Sequence, residues 1–310
     1  MDGFFKKNLN YGIFVLVFIT VTSIVCSSCK KSNTQVVDKR EQFFKTNDSL
    51  DAISRDTIWY KVGNSNKKLK LAWSRNSSSL QKKVITELLA QMIYVEGGSF
   101  KMGCMEQTDT LCTEYEKPVQ TVKLSSFFIA QYEVTQLLYL ELVGNNPNSF
   151  KNNNFPVANV SWDDAQEFIK KLNHLTNLHF ALPTEAQWEY AAKGGNKSKN
   201  TIFAGHKEIK KVAWYKENSN GMYHGVGNLL PNELNIYDMN GNVWEWCADY
   251  YAPYTPENKE NPTGPATGTT RVYRGGSWLD NQTYSRITYR NSGNQSQKMN
   301  CLGFRVVLIP

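Results

Sequence analysis

Histidine is nearly absent from this chain, with four among 310 residues: His174, His179, His206 and His224. His174 and His179 stand five apart, about 140° around a helix, so they do not share a face as paired metal ligands four apart do. No histidine-based iron centre is expected. Nor is there an apolar run long enough to cross a bilayer, since the stretch at residues 11–25 falls short of the roughly 20 that a spanning helix needs. A basic excess is also missing from the part that should fold. Residues 92–310 hold 20 Lys and Arg against 21 Asp and Glu, and the surplus behind the net charge of +7 lies in residues 1–91, with 15 against 7. Composition therefore gives no support to a nucleic-acid groove, whereas a basic stalk suits an anionic membrane surface. Aromatic stripes at helical spacing are lacking as well, which argues against a long helical bundle.

The hydrophobic content of 41% is enough for a buried core, and the 13% of aromatic residues sit among Gly, Asn and Asp. That mixture points to a loop-rich fold held by large flat side chains. At the N-terminus, Lys6 and Lys7 precede the apolar stretch, and Cys26-Ser27-Ser28-Cys29-Lys30-Lys31 follows it. Basic, apolar and small residues in that order form a secretory signal. Ser27-Ser28 before Cys29 resembles a bacterial lipobox, which predicts a signal peptide over residues 1–28, a lipid on Cys29 and an exported, membrane-anchored chain facing the periplasm or the surface. Export permits disulfides.

Residues 29–91 read as a Lys-, Asn- and Ser-rich stalk. Within it, residues 57–62 and 68–73 are short β-prone stretches around Gly63-Asn64-Ser65-Asn66, which predicts a small hairpin. Val84, Ile85, Leu88 and Leu89 have helical spacing and lead into a domain over residues 92–310.

That domain opens with Met92-Ile93-Tyr94-Val95-Glu96-Gly97-Gly98-Ser99-Phe100-Lys101-Met102-Gly103. Glu133-Val134-Thr135 begins one helix with Thr135 as N-cap. Val160-Ser161-Trp162-Asp163-Asp164-Ala165 begins another, with Ser161 and Asp164 at capping-box spacing. Leu182-Pro183-Thr184-Glu185-Ala186-Gln187-Trp188-Glu189-Tyr190 and Tyr237-Asp238-Met239-Asn240-Gly241-Asn242-Val243-Trp244-Glu245-Trp246 follow, then Arg274-Gly275-Gly276-Ser277-Trp278 and Gly303-Phe304-Arg305. Together and in this order, these blocks resemble the formylglycine-generating-enzyme (sulfatase-modifying-factor) family. The resemblance implies one α+β domain, related to C-type lectins and irregular in structure. Most of the Trp, Gly and Arg residues then hold the fold together, with Arg286, Arg290 and Arg305 tying loops to carbonyls or carboxylates.

Catalytic relatives oxidise a substrate cysteine with dioxygen and a copper ion held by two cysteines after the Gly-Gly-Ser block. Spacing places those positions at Asp280 and Ser285. Cu(I) is soft and prefers sulfur to hard hydroxyl or carboxylate oxygen, so copper is not expected. Relatives that use iron carry a separate helical domain absent from this sequence. The resemblance does imply calcium at Asp238, Glu245 and the carbonyls of Gly241 and Val243, a donor set suited to a hard cation. The alternative has Asp238 capping a turn and Glu245 pairing with an arginine. Around Ala213-Trp214-Tyr215 the family's other calcium site has no match.

Beyond the signal region, four cysteines allow three connectivities. Cys104–Cys112 with Cys247–Cys301 is the expected pairing, and buried free thiols are the alternative. The leading functional reading is a non-catalytic binding or structural module of the cell envelope. It would present residues 196–211, 218–230 and 250–270 to a protein, peptide or glycan. An enzyme working in the same cleft, with Ser277, Asp280, Ser285, Arg286 and Cys301 as its candidates, is the second reading, and a true cysteine oxidase the third.

Overall fold

The computed structural model describes residues 58–310 except 64, 66, 75, 76 and 108. The signal peptide, Cys29 and the first half of the stalk lie outside the described residues.

The expected hairpin is formed by β1 (Ile58–Lys61) and β2 (Lys68–Leu71), and the helix α1 (Ser79–Ala90) follows. A capping box starts α1: Ser78 Oγ accepts the Gln81 N–H and the Gln81 side chain accepts the Ser78 N–H. Neither element is a spacer. Val62, Leu71, Val84, Ile85, Leu88 and Leu89 are buried in the main apolar cluster, so the folded domain begins well before Met92 and takes in the described part of the expected stalk. Gly63 shows how tight the join is, because at φ +51° a Cβ there would lie 1.7 Å from the Met92 carbonyl oxygen.

Three sheets and three further helices complete the domain. The strands β3 (Met92–Val95), β6 (Phe127–Ala130), β7 (Phe180–Ala181) and β15 (Val307–Leu308) form a sheet in the order β3-β6-β15-β7. This ties the chain's end to the domain's opening. A second sheet joins β4 (Gly98–Met102), β5 (Gln120–Leu124) and β11 (Lys259–Glu260), with β5 in the middle. The third, which positions the candidate site, runs β13 (Arg290–Gly293), β12 (Arg271–Arg274), β10 (Trp244–Tyr250), β14 (Leu302–Gly303). A two-stranded pair, β8 (Ala213–Trp214) with β9 (Asn240–Gly241), lies outside these sheets.

The helices begin where their caps predict. Thr135 accepts the Leu138 N–H at the start of α2 (Gln136–Val143), and the Ser161–Asp164 box opens α3 (Trp162–Thr176). A Thr184–Gln187 box opens α4 (Glu185–Ala192). Gly144 and Asn177, both at positive φ, end α2 and α3 by turning the chain where a helical φ would continue it. The fold is mixed α and β, with long irregular stretches between short elements, as the sequence implies.

Candidate functional site

The turn after β12 carries the positions of interest. Gly275 and Gly276 both have positive φ, and a Cβ on Gly276 would approach Ser285 Oγ to 2.6 Å. Glycine is thus what lets the turn fold back on itself. Beyond it, Asp280 is partly exposed, and its Oδ2 accepts the Trp244 indole N–H at 2.8 Å and the Ser277 hydroxyl. Cys301 precedes β14, and its carbonyl accepts the Trp244 backbone N–H at 2.7 Å. Burial, with the Asp280 charge adding to it, pushes the Cys301 thiol up to about 11. At neutral pH it is a thiol with little nucleophilic or metal-binding character. Rings crowd the same place: Trp244 meets Tyr273 edge-on at 5.1 Å, and Tyr284 meets Tyr289 at 4.9 Å.

Ser277, Asp280 and Cys301 therefore come together, while Ser285 and Arg286 do not join them. Ser285 has no exposed surface, and its Oγ has no hydrogen-bond partner. Arg286 is equally buried and its guanidinium is fully engaged, held by Glu116 at 2.7 and 2.9 Å, Asp109 at 2.7 Å and the Thr283 carbonyl at 3.0 Å. Its place among the cleft candidates is corrected: it locks the segment that follows the turn. Asp280 and Ser285 thus present one committed carboxylate and one sealed hydroxyl where a copper site would need two thiolates.

The same kind of bond recurs through the interior. Glu185 accepts from Arg290 and forms an ion pair with Arg274 at 3.0 Å, Glu189 accepts from Arg274, and Glu245 from Arg305 through two bonds of 2.7 and 2.6 Å. Arg290 and Arg305 therefore act as the sequence suggested. The carboxylate partners of Arg274, Arg286 and Arg290, which are Glu116, Glu185 and Glu189, went unassigned, because nothing local marks a carboxylate whose guanidinium lies 85 to 170 positions away.

The Arg305 pair bears on calcium. Glu245 uses both oxygens on Arg305 and also accepts the Trp188 indole N–H at 2.8 Å. Asp238, at φ 56°, accepts the Gly227 N–H at 2.7 Å, and burial pushes its carboxyl up to about 6. Glu133 beside it is driven well above the usual carboxylate range, again by burial. Its Oε1 accepts from the Asn242 side-chain amide, and its Oε2 has no donor among the described residues. Among the described residues no three His, Cys, Asp or Glu side chains are arranged to hold a metal. With Glu245 committed to a guanidinium, the four positions Asp238, Gly241, Val243 and Glu245 do not fit a calcium cage as they stand.

One expected disulfide is present: Cys104 and Cys112 are bonded, with their Cα atoms 5.6 Å apart. The other is not, and Cys247 and Cys301 are both free and buried. The reason is register. In the parallel pairing of β10 with β14, Trp244 stands beside Leu302, which puts Cys301 beside residue 243, four positions from Cys247. At 3.3 Å per residue that is about 13 Å, beyond any disulfide. The three loops differ in exposure. Residues 250–270 are largely exposed, whereas 196–211 and 218–230 bury Phe203, Ile209 and Tyr223 in apolar clusters.

Comparisons with known proteins agree with this architecture. The chain is 31% identical over 255 residues to the Chaperone protein LppX of Paenibacillus barcinonensis, covering 66% of this chain and 84% of that one. It is 27% identical over 298 residues to the formylglycine-generating enzyme of Thermomonospora curvata, covering 72% and 95%. Among solved structures it superposes on Treponema denticola variable protein 1 with a TM-score of 0.66 and 27% identity, over 82% of this chain and 99% of that one. The sulfatase-modifying factor enzyme 1-like domain profile matches residues 77–309 and so starts just before α1, which the packing already places in the core. By profile, sequence and fold alike, the chain belongs to the sulfatase-modifying factor enzyme 1-like domain family.

Proposed function

We propose that the chain is a non-catalytic binding module, lipid-anchored through Cys29 at the bacterial cell envelope, that engages a protein, peptide or glycan there. The observation that carries the reading is the pair of oxygen-bearing residues at the copper positions, Asp280 tied to Trp244 and Ser277, and Ser285 sealed inside. Without a thiolate pair, soft copper has no seat, and the thiol beside it is held protonated. Kinship with a protein named a chaperone supports a polypeptide partner. The exposed segment 250–270 is the most available contact surface of the three loops.

An enzyme in the same cleft is the second reading, favoured by the meeting of Ser277, Asp280 and Cys301. Two experiments test these readings, the first against copper-dependent cysteine oxidation and the second against catalysis in the cleft. The purified full chain, incubated with Cu(I) and a cysteine-containing sulfatase peptide, should consume no oxygen. A cross-linking pull-down from membranes should recover one partner, lost when residues 255–258 are replaced by Gly and Ser. Stoichiometric Cu(I) uptake with turnover of the peptide overturns the proposal, and so does a Cys29→Ala chain that still takes up labelled fatty acid where the anchor is concerned.

A further inference from the structure

A cavity of about 610 Å³ opens between the start of α4, strands β4 and β5, and the segment 249–265. Its apolar wall comes from Met102, Ala186, Pro253, Pro262 and Pro265. Two polar groups in the wall are acceptors, one of them without a partner. Gln120 is only 4% exposed, and its Oε1 is buried with no hydrogen-bond partner, the amide nitrogen reaching no better acceptor than Met102 Sδ at 3.6 Å. Asp249 is 5% exposed; its Oδ2 caps α4 by accepting the Glu185 N–H at 2.8 Å, and this is the one hydrogen bond its carboxyl makes to another residue. A buried acceptor left without a donor costs about 1–3 kcal/mol, and such an oxygen beside a carboxylate that makes a single hydrogen bond to another described residue marks a place where a ligand would supply donors.

We propose that this cavity binds a primary ammonium or guanidinium group on an aliphatic stem, the head held between the Asp249 carboxylate and the Gln120 carboxamide oxygen and the stem lying on the proline wall. Both open groups are acceptors, and one of them becomes a carboxylate. A cation satisfies both and neutralises the charge, whereas a hydroxyl would leave that charge desolvated. The site owes nothing to the copper positions, and it stands or falls separately from the proposed function.

The charge environment gives the proposal its test. Burial, with the neighbouring Glu185 carboxylate, pushes Asp249 up to about 7. Around it are Glu185 on α4, Arg290 on β13, Arg271 on β12, Cys247 on its own strand, and Lys259 and Glu260 on the cavity wall. Of these, Glu185 is already paired with Arg290 and Arg274. A cation that requires ionised Asp249 should bind about tenfold more tightly at pH 8 than at pH 6, because the ionised fraction rises from about a tenth to about nine-tenths.

Titrating the full chain in detergent with n-butylammonium and N-propylguanidinium, followed by NMR, should show that rise. n-Butanol and methyl glucoside should bind at least tenfold more weakly and without the pH dependence. Asp249→Asn keeps an oxygen for the Glu185 N–H and should abolish the pH dependence while weakening cation binding about tenfold. Gln120→Leu should weaken binding about threefold yet leave the melting temperature unchanged or higher, since it deletes an unsatisfied group. Equal binding of butanol or the glucoside with no pH dependence overturns the proposal, as does the absence of any shift at cavity residues up to about 50 mM cation.

Discussion

The turn from Gly275 to Arg286 and the guanidinium–carboxylate frame beneath it have answered the same problem differently. In the frame, every guanidinium of Arg274, Arg286, Arg290 and Arg305 is buried against a carboxylate. In the turn, Asp280 and Ser277 satisfy one another and Trp244 at the edge of solvent, and no cation is present among their partners. Removing half of any pair in the frame strands a charge in the interior. A change at Asp280 removes only hydrogen bonds at the edge of solvent. The fold and the family's chemistry are therefore separable in this molecule, because the residues that hold the first are not those that would perform the second.

The largest test of that contrast is Arg305→Met. It leaves Glu245 buried without its guanidinium, beside Asp238 and Glu133, and should cost about 3–5 kcal/mol, read as a lowered urea midpoint. A loss below about 1 kcal/mol would place the frame on the same footing as the turn. Next is the Cys104→Ser/Cys112→Ser pair of substitutions. This disulfide closes a loop of eight residues, for which the chain-entropy account gives about 2.5 kcal/mol. Because Asp109 within the loop also pairs with Arg286, hydrogen exchange should quicken at residues 280–286 as well as within the loop. Faster exchange confined to residues 104–112 would show that the two are uncoupled.

A smaller change, Asp280→Asn, probes the turn itself. Asp280 is one of the groups that raise the Cys301 thiol, after burial. Removing its charge should lower that thiol from about 11, so alkylation by iodoacetamide at pH 8.5 should quicken by about threefold, with stability changed by less than about 1 kcal/mol. The sign follows from linkage: a weaker penalty on the thiolate shifts its titration to lower pH and enlarges the reactive fraction at fixed pH. An unchanged rate would mean that burial alone sets the thiol.

Much of this was legible in advance. The helix starts at Thr135 and Ser161 were readable because a cap is a local contract between residues three apart, and the Gly-Gly-Ser-Trp turn because only glycine adopts those dihedrals. What escaped is non-local. Glu116 and Arg286 are 170 positions apart, and no spacing announces their pairing. The Cys247–Cys301 expectation failed for the same reason, since the distance between two cysteines on neighbouring strands depends on a register that sequence does not display. The domain's early start was half legible: the spacing of Val84, Ile85, Leu88 and Leu89 gave the helix, but spacing alone does not show that the helix packs into the main core.

The smallest expected effect decides how far the frame reaches. If Arg305 serves Glu245 as the internal counter-ion, adding millimolar calcium or removing it with EDTA should move the melting temperature by less than about 1 °C. A cation bound at a hundred times its dissociation constant would instead add about 2.7 kcal/mol, several degrees for a domain of this size. A rise of that order would require Asp238 to leave the Gly227 N–H, or Glu245 to loosen its grip on Arg305. The Arg305→Met variant then distinguishes the routes: with the guanidinium gone, calcium should begin to stabilise the protein, because the carboxylates of Glu245 and Asp238 are left facing the carbonyl-bearing turn at Gly241 and Val243 without a positive partner. If neither chain responds, the geometry of these carboxylates, and not competition from the arginine, is what keeps the cation out.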